Sequence, residues 1–306
     1  MIQKRVFLLT CTLLAAASLP SRAALLIYEG FNYGNASSTR IGADQLHGQP
    51  DGINGDADAT GLSGTWEDTA GPGDTTSLFM YAGSLTFSDL ATSGNSVRSD
   101  TNNNNDIFGR TITADLSSGG ELWFSFMANK LQNNFSAAEG GLVIGNQRVN
   151  NSRVLSDTGS SGLQGFGIAP TTAGNDWTPY AWNGSAQSVG DAVYGVATNG
   201  SQTNLLIGHV SWNTGAGGAD EFTAYYYSGV GSISADMSNL TAIASTLEVN
   251  VDETTLDFLS LTRQVNTAYD EIRVATTLDE VLAIPEPSAA LLGGLGTLLL
   301  LRRRKR

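Results

Sequence analysis

The sequence predicts an all-β fold, an antiparallel sandwich of short strands. Three observations predict it. Charged residues are only 15% of the 306 positions, and Gly, Ser, Thr, Asn and Asp fill the spaces between apolar runs. That composition makes many turns and few long helices. The apolar runs are short, rich in aromatic and β-branched residues, and several alternate with period two. No repeat at a fixed period runs along the chain, which excludes a solenoid.

The elements follow in order. Leu25 to Phe31 reads as a first strand, and residues 32–76 as a Gly/Asp/Asn-rich loop region. Leu78 to Phe87 reads as one or two strands around Gly83. Ile107 to Ile112 and Glu121 to Met127 are strands, the second placing Leu122, Phe124 and Phe126 on one face. Leu142 to Ile144 and Gly165 to Ile168 are short strands, followed by a loop carrying Trp177, Tyr180 and Trp182. Ala192 to Ala197 is a further candidate. Leu205 to Trp212 and Asp220 to Tyr227 have the clearest patterns, with Phe222, Ala224 and Tyr226 sharing a face. Residues 228–255 read as an inserted hairpin or loop. Leu256 to Leu261 and Tyr269 to Val274 close the series. Thr277-Leu278-Asp279-Glu280 forms a capping box for one helical turn.

Several of these pieces occur together: Tyr28-Glu29-Gly30-Phe31, Gly61-Leu62-Ser63-Gly64-Thr65-Trp66, the Glu121 to Met127 strand, the late pair Ile207 to Trp212 and Asp220 to Tyr227, and Tyr269-Asp270-Glu271-Ile272-Arg273-Val274. In this order they resemble the concanavalin A-like, LamG-type jelly-roll domains of bacterial surface proteins. The resemblance spans most of residues 25–282 and implies a jelly-roll β-sandwich.

Both ends of the chain read as addresses. Lys4 and Arg5, an apolar stretch from Val6 to Leu19, and Ser21-Arg22-Ala23 form a secretory signal peptide, residues 1–23. It takes with it Cys11, the only cysteine, so the mature body, residues 24–284, has no disulfide and no thiolate site. At the other end, Pro285-Glu286-Pro287 breaks regular structure. An uncharged apolar run to Leu301 follows, then Arg302, Arg303, Arg304, Lys305 and Arg306. As a helix that run spans about 21 Å, shorter than a bilayer core of about 30 Å, with the basic end held cytoplasmic. The three parts, residues 285–306, resemble the PEP-CTERM sorting signal. That resemblance implies that the tail is the substrate of an exosortase-type enzyme. The expected partners are then the Sec translocon, signal peptidase and the exosortase. The expected route is a transient inner-membrane anchor by the C-terminal helix, then the cell surface or extracellular matrix.

The chain carries a formal charge of −13. Without the two ends the body keeps eight basic and 28 acidic residues, or −20. That excludes nucleic acid and anionic membranes as partners and allows neutral glycans and divalent cations. Four constellations bear on chemistry. Asp56, Asp58, Thr60, Gly61 and Glu67 have the spacing of a calcium loop, with ligands at positions 1, 3, 5 and 12. Trp177, Tyr180 and Trp182 offer rings for stacking on sugars. Asp220-Glu221 and Asp270-Glu271 are paired acids, but neighbours on a strand point to opposite faces, so neither pair forms a glycosidase dyad by itself. His47 and His209 are the only histidines, and His209 reads as a satisfied sheet residue. With no catalytic set evident, the expectation is a non-enzymatic structural or adhesive protein of an extracellular polysaccharide, with no cofactor unless calcium. The alternative is a lectin-like carbohydrate-binding module, calcium-assisted or not, and after it a glycan hydrolase or lyase.

Overall fold

The computed structural model describes residues 25–33, 46, 60–68, 78–99, 106–130, 141–149, 162–170, 177–190, 202–229, 231–263 and 267–282. The predicted signal peptide, the Pro285-Glu286-Pro287 motif, the tail helix and its basic end, Asp56, Asp58, His47 and the Ala192 to Ala197 candidate lie outside the described residues. Among the described residues, no helix is long and apolar enough to cross a membrane.

Sixteen strands are present among the described residues. They are β1 (Leu25–Glu29), β2 (Leu62–Asp68), β3 (Phe79–Tyr81), β4 (Ser96–Arg98), β5 (Asp106–Ile112), β6 (Glu121–Lys130), β7 (Gly141–Gly145) and β8 (Gln164–Pro170). β9 (Trp177–Asn183), β10 (Gln187–Val189), β11 (Thr203–Ser211), β12 (Asp220–Tyr227), β13 (Leu240–Ala242), β14 (Leu247–Val249), β15 (Phe258–Arg263) and β16 (Thr267–Ala275) follow. Among the described residues one α-helical turn is present, α1 (Leu278–Val281). Thr277 sits at its N-cap, and its hydroxyl donates to Glu280 Oε2 at 3.2 Å rather than accepting a backbone N–H.

The strands form two antiparallel sheets. The nine-stranded sheet runs β13-β12-β11-β6-β16-β4-β3, with β1 also on β16 and β14 also on β12. Two of its edges are shared end to end. β13 pairs the second half of β12 and β14 the first half. Likewise β4 pairs the start of β16 and β1 its end. The seven-stranded sheet runs β10-β9-β8-β7-β15-β5-β2. The sandwich expected from the sequence is therefore present. The 228–255 segment is neither a separate hairpin nor a free loop: its two short strands both dock on β12.

The main core lies between the sheets. β6 places Leu122, Phe124, Phe126 and Ala128 there, and β11 adds Leu206 and Val210. β12 supplies Phe222 and Ala224, and Tyr226 packs against them partly buried. Each fully buried large side chain contributes roughly 1.5–3 kcal/mol. A second cluster covers part of the outer face of the nine-stranded sheet, where Trp123, Met127, Leu205 and Ile207 meet α1 and the segment between β3 and β4. A third lies on the outer face of the seven-stranded sheet. β6 is thus apolar on both faces, which alternation along one face does not foretell.

Candidate functional site

Three groups of polar side chains stand out among the described residues. The first is closed between the sheets. Glu29 on β1 reaches Arg110 on β5, whose Nη1 donates to Glu29 Oε2 at 2.8 Å and to the Tyr33 hydroxyl at 2.7 Å. Tyr33 donates to the same Glu29 oxygen at 2.6 Å, and the Phe31 amide donates to Oε1 at 2.8 Å. Trp66 Nε1 donates to the Tyr33 hydroxyl at 3.0 Å. Every one of these side chains is buried. Burial pushes the Glu29 carboxyl above its ordinary range, against the pull of Arg110. Buried among the described residues, this network joins the two sheets.

The second group is the acid pair Asp270-Glu271, with Arg273 and Tyr28. Strand alternation separates neighbouring side chains, and for Asp220-Glu221 it does so. Asp220 is buried and accepts the Asn213 and Val251 amides, while Glu221 faces out. Asp270-Glu271 departs from that expectation. A bulge between Asp270 and Arg273, with Glu271 at φ 51°, turns both acids toward the segment between β3 and β4. Both are buried.

The third group lies open at one corner of the nine-stranded sheet, on its outer face. Register builds it. Ser211 on β11 stands opposite Glu121 on β6 and Glu221 on β12, and Glu221 stands opposite Glu248 on β14. One residue pair along, His209 stands opposite Trp123 and Thr223. The His209 ring lies flat on the Trp123 indole, with centroids 3.9 Å apart and planes at 16°. His209 Nε2 meets Glu121 Oε2 at 2.8 Å, with the two side chains 20% and 47% exposed. Thr223 Oγ1 bonds Thr246 Oγ1 at 2.8 Å, and Thr214 donates to Glu221 Oε2 at 3.0 Å. Tyr225, half-buried, extends the surface toward Ala242.

This corner is not a serine-nucleophile site. Ser211 Oγ approaches the same His209 nitrogen, at 3.4 Å, that faces Glu121. An ionised carboxylate only accepts, so Nε2 carries the proton and cannot take one from Ser211. A catalytic triad needs the nucleophile and the acid on opposite ring nitrogens. What remains is one partly exposed imidazole lying on the buried Trp123, rimmed by hydroxyls and carboxylates that can hydrogen-bond sugar hydroxyls.

The predicted sugar-stacking residues do not form such a surface. Trp177, Tyr180 and Trp182 lie on strand β9, not in a loop, and all three are buried. Period-two geometry splits them. Trp177 points into the main core, edge-on to Phe126 at 6.2 Å. Tyr180 and Trp182 stack on each other at 6.1 Å on the opposite face, among Ile107, Val143 and Leu163. They are packing residues.

The predicted calcium loop is also corrected where it is described. Thr60 is exposed and exchanges both backbone hydrogen bonds with Tyr28. Glu67 lies on β2, where Leu62 is opposite Ile112 and Glu67 opposite Gly109, three residues along β5. That is about 10 Å of strand. A twelfth-position ligand must fold back onto the ion at about 2.5 Å. Past a bulge between Ser63 and Glu67, β2 carries Glu67 toward Arg148 at 4.0 Å. Among the described residues, no group of three or more His, Cys, Asp or Glu could hold a metal ion.

Sequence reasoning named His209 but missed its partners. Trp123 and Glu121 meet it only through the β6–β11 register, while Ser211 follows two residues along the same strand. The one available signal was that the Glu121 and Leu205 runs are both long and begin or end in polar residues.

No protein-family model matches the chain. No curated protein matches it in sequence either. Solved structures do. The T. cruzi calreticulin globular domain is 11% identical, covers 76% of this chain and 91% of its own, and has a TM-score of 0.44. The endo-β-1,4-glucuronan lyase of the fungus Trichoderma reesei is 10% identical, covers 65% and 89%, and has a TM-score of 0.40. The VIP36 exoplasmic/lumenal domain, in a Ca2+/Man3GlcNAc-bound form, is 11% identical, covers 62% and 82%, and also scores 0.40. Alginate lyases are among the matches as well. The two-sheet sandwich rests on the strand pairing itself. Several of these neighbours are polysaccharide lyases, and the expectation of a purely structural or adhesive, non-enzymatic role is not carried forward.

Proposed function

We propose that this chain is an exported carbohydrate-binding protein that recognises a neutral glycan at the open corner around His209. The observation that carries the reading is the partly exposed His209 ring, held flat by the buried Trp123 beneath it and rimmed by Glu121, Ser211, Glu221 and Thr223. The carboxylates of that rim, and a net charge of −13, oppose a polyuronate ligand and leave a neutral one unhindered. Glycan cleavage at the same corner is the second reading. It is favoured by Glu121 and Glu221, which share a face two strands apart, about 10 Å between Cα atoms. Side chains at that separation reach the roughly 6.5–9.5 Å carboxyl spacing of inverting glycosidases.

The purified protein, incubated with a panel of neutral and uronate glycans, with calcium and with chelator, tests both readings. Binding to a neutral glycan that weakens about tenfold in His209→Ala, the loss of roughly one stack or charge-assisted bond, is expected. Unchanged binding in His209→Ala removes the site from the reading. Product release that stops in Glu121→Gln identifies cleavage.

The delivery of this module completes the proposal. The Pro285-Glu286-Pro287 motif, the apolar run and Arg302 to Arg306 support sorting by an exosortase-type enzyme after Sec export and signal peptidase cleavage. The destination is the cell surface or an extracellular polysaccharide matrix. In an exosortase-bearing host, replacing Pro285 and Pro287 by Ala is expected to leave the protein in the membrane fraction.

A further inference from the structure

Asp270 and Glu271 fall where the edge of β16 changes partner. β4 pairs Ala268 and Tyr269, and β1 pairs from Ile272 onward. The bulge in that gap aims both acids at residues 82–95, the segment joining β3 to β4. Asp270 Oδ2 accepts the Leu85 amide at 2.6 Å, and Oδ1 accepts the Glu271 amide at 2.8 Å. Glu271 Oε1 accepts the Ser93 amide at 2.6 Å, and its carboxylate takes the Tyr28 hydroxyl at 3.1 Å. Arg273 Nη2 donates to Glu271 Oε2 and to the Ala91 carbonyl, both at 2.5 Å. The far end of the segment is tied to the next layer. Ser88 Oγ donates to the Gly231 carbonyl at 2.5 Å, and the Ile233 amide donates to Asp89 Oδ1 at 2.7 Å. Beneath it, Leu85, Phe87 and Leu90 join Trp123, Tyr227, Ile233 and Leu278 in one apolar cluster.

The charges at this junction do not balance if both acids ionise. Among the described residues, Arg273 is the one cation facing the pair. From β1, Tyr28 is a neutral phenol whose ionisation burial opposes, and Glu29 points into the core on Arg110. From the segment itself come only neutral groups, since Asp89 sits at its exposed tip. Two buried carboxylates with one guanidinium leave one uncompensated negative charge away from water, which is strongly unfavourable. A retained proton removes it.

We propose that residues 82–95 form a proton-held strap: the Asp270–Glu271 pair keeps one proton at neutral pH, and losing it in alkali releases the strap from the sheet. The burial of Asp270 and the nearby Glu271 charge, which push Asp270 up to about 9, agree with this. Release uncovers the cluster that contains Trp123, so the strap also governs the floor under His209. The strap does not depend on what that corner binds.

Hydrogen exchange of the Leu85 and Ser93 amides, in the full-length protein and corrected for intrinsic rates, tests it. Protection is expected to fall by up to about tenfold per pH unit between about pH 4 and 9, where the closed strap keeps a proton that the open one gives up, and to level off above that. In Asp270→Asn the corrected protection should stay flat. A flat profile in the native protein, or the same fall in Asp270→Asn, overturns the proposal. Infrared difference spectroscopy of the native protein decides the matter even if the variant does not fold. A buried protonated-carboxyl band at neutral pH that vanishes in alkali is expected, and its absence at neutral pH overturns the proposal.

Discussion

Glu29 shows how far one residue can be read from sequence. Its place in Tyr28-Glu29-Gly30-Phe31 marked it as part of a motif, but not that it binds Arg110, 81 positions away. Removing one partner of a buried pair leaves the other unpaired in a dry interior. Glu29→Ala is therefore expected to lose about 3–5 kcal/mol in denaturant unfolding. Glu29→Met with Arg110→Met should recover most of that, because no stranded charge remains. His209 teaches a complementary lesson. Reading it as a satisfied sheet histidine was sound as far as it went, since Glu121 does satisfy it. The stack on Trp123, which makes the corner a candidate glycan surface, depends on a neighbouring strand.

At the scale of the element, the long alternating runs gave reliable strands, and β6, β11 and β12 fall where their patterns put them. Two local geometries were hidden. One is β9, where aromatic residues among Asn and Pro suggested a loop although they pack on both faces of a strand. The other is the β16 bulge, which sends Asp270 and Glu271 the same way. A tight fit also governs β11. A Cβ on Gly208 would lie 2.1 Å from the Phe124 ring, so glycine is needed for that ring to cross the strand. Gly208→Ala is expected to lower stability by about 1–3 kcal/mol through overpacking. Combined with Phe124→Leu, the loss should be smaller than the sum of the two single losses, since both act on one contact.

For the whole molecule, acidity sets the response to pH and salt. Asp270 has an ordinary value of 3.8 and about 9 in the fold. Its contribution is complete below about pH 4. Between those values the unfolded chain gives up a proton that the fold retains. Stability therefore declines as pH rises, on the order of 1 kcal/mol per unit, until the fold also deprotonates near 9. The exposed Asp89, Asp115 and Asp236, held below the usual range by backbone or serine hydrogen bonds, act in the opposite sense and lose their contribution in acid. Thermal melting is expected to fall from mildly acidic to alkaline pH, and Asp270→Asn should flatten most of that slope. Added salt should raise the melting temperature at neutral pH, because a chain of net charge −13 repels itself.

By itself the sequence determined what is local or additive. Composition and period-two runs set the sandwich, because burial of alternating apolar side chains needs no knowledge of partners. The charge set the expectation against polyanions, and the segments at the two ends supplied the proposed address. Only the tertiary structure decided what depends on register and on strands far apart in the chain. It placed His209 on Trp123, turned Trp177 away from Tyr180 and Trp182, drew Glu67 out of a calcium loop, and brought Asp270 and Glu271 under one strap. Each of these follows from which strand lies beside which, and where a bulge shifts the count by a residue. Such contacts join positions as distant as Tyr28 and Glu271, 243 residues apart, beyond the reach of any local pattern.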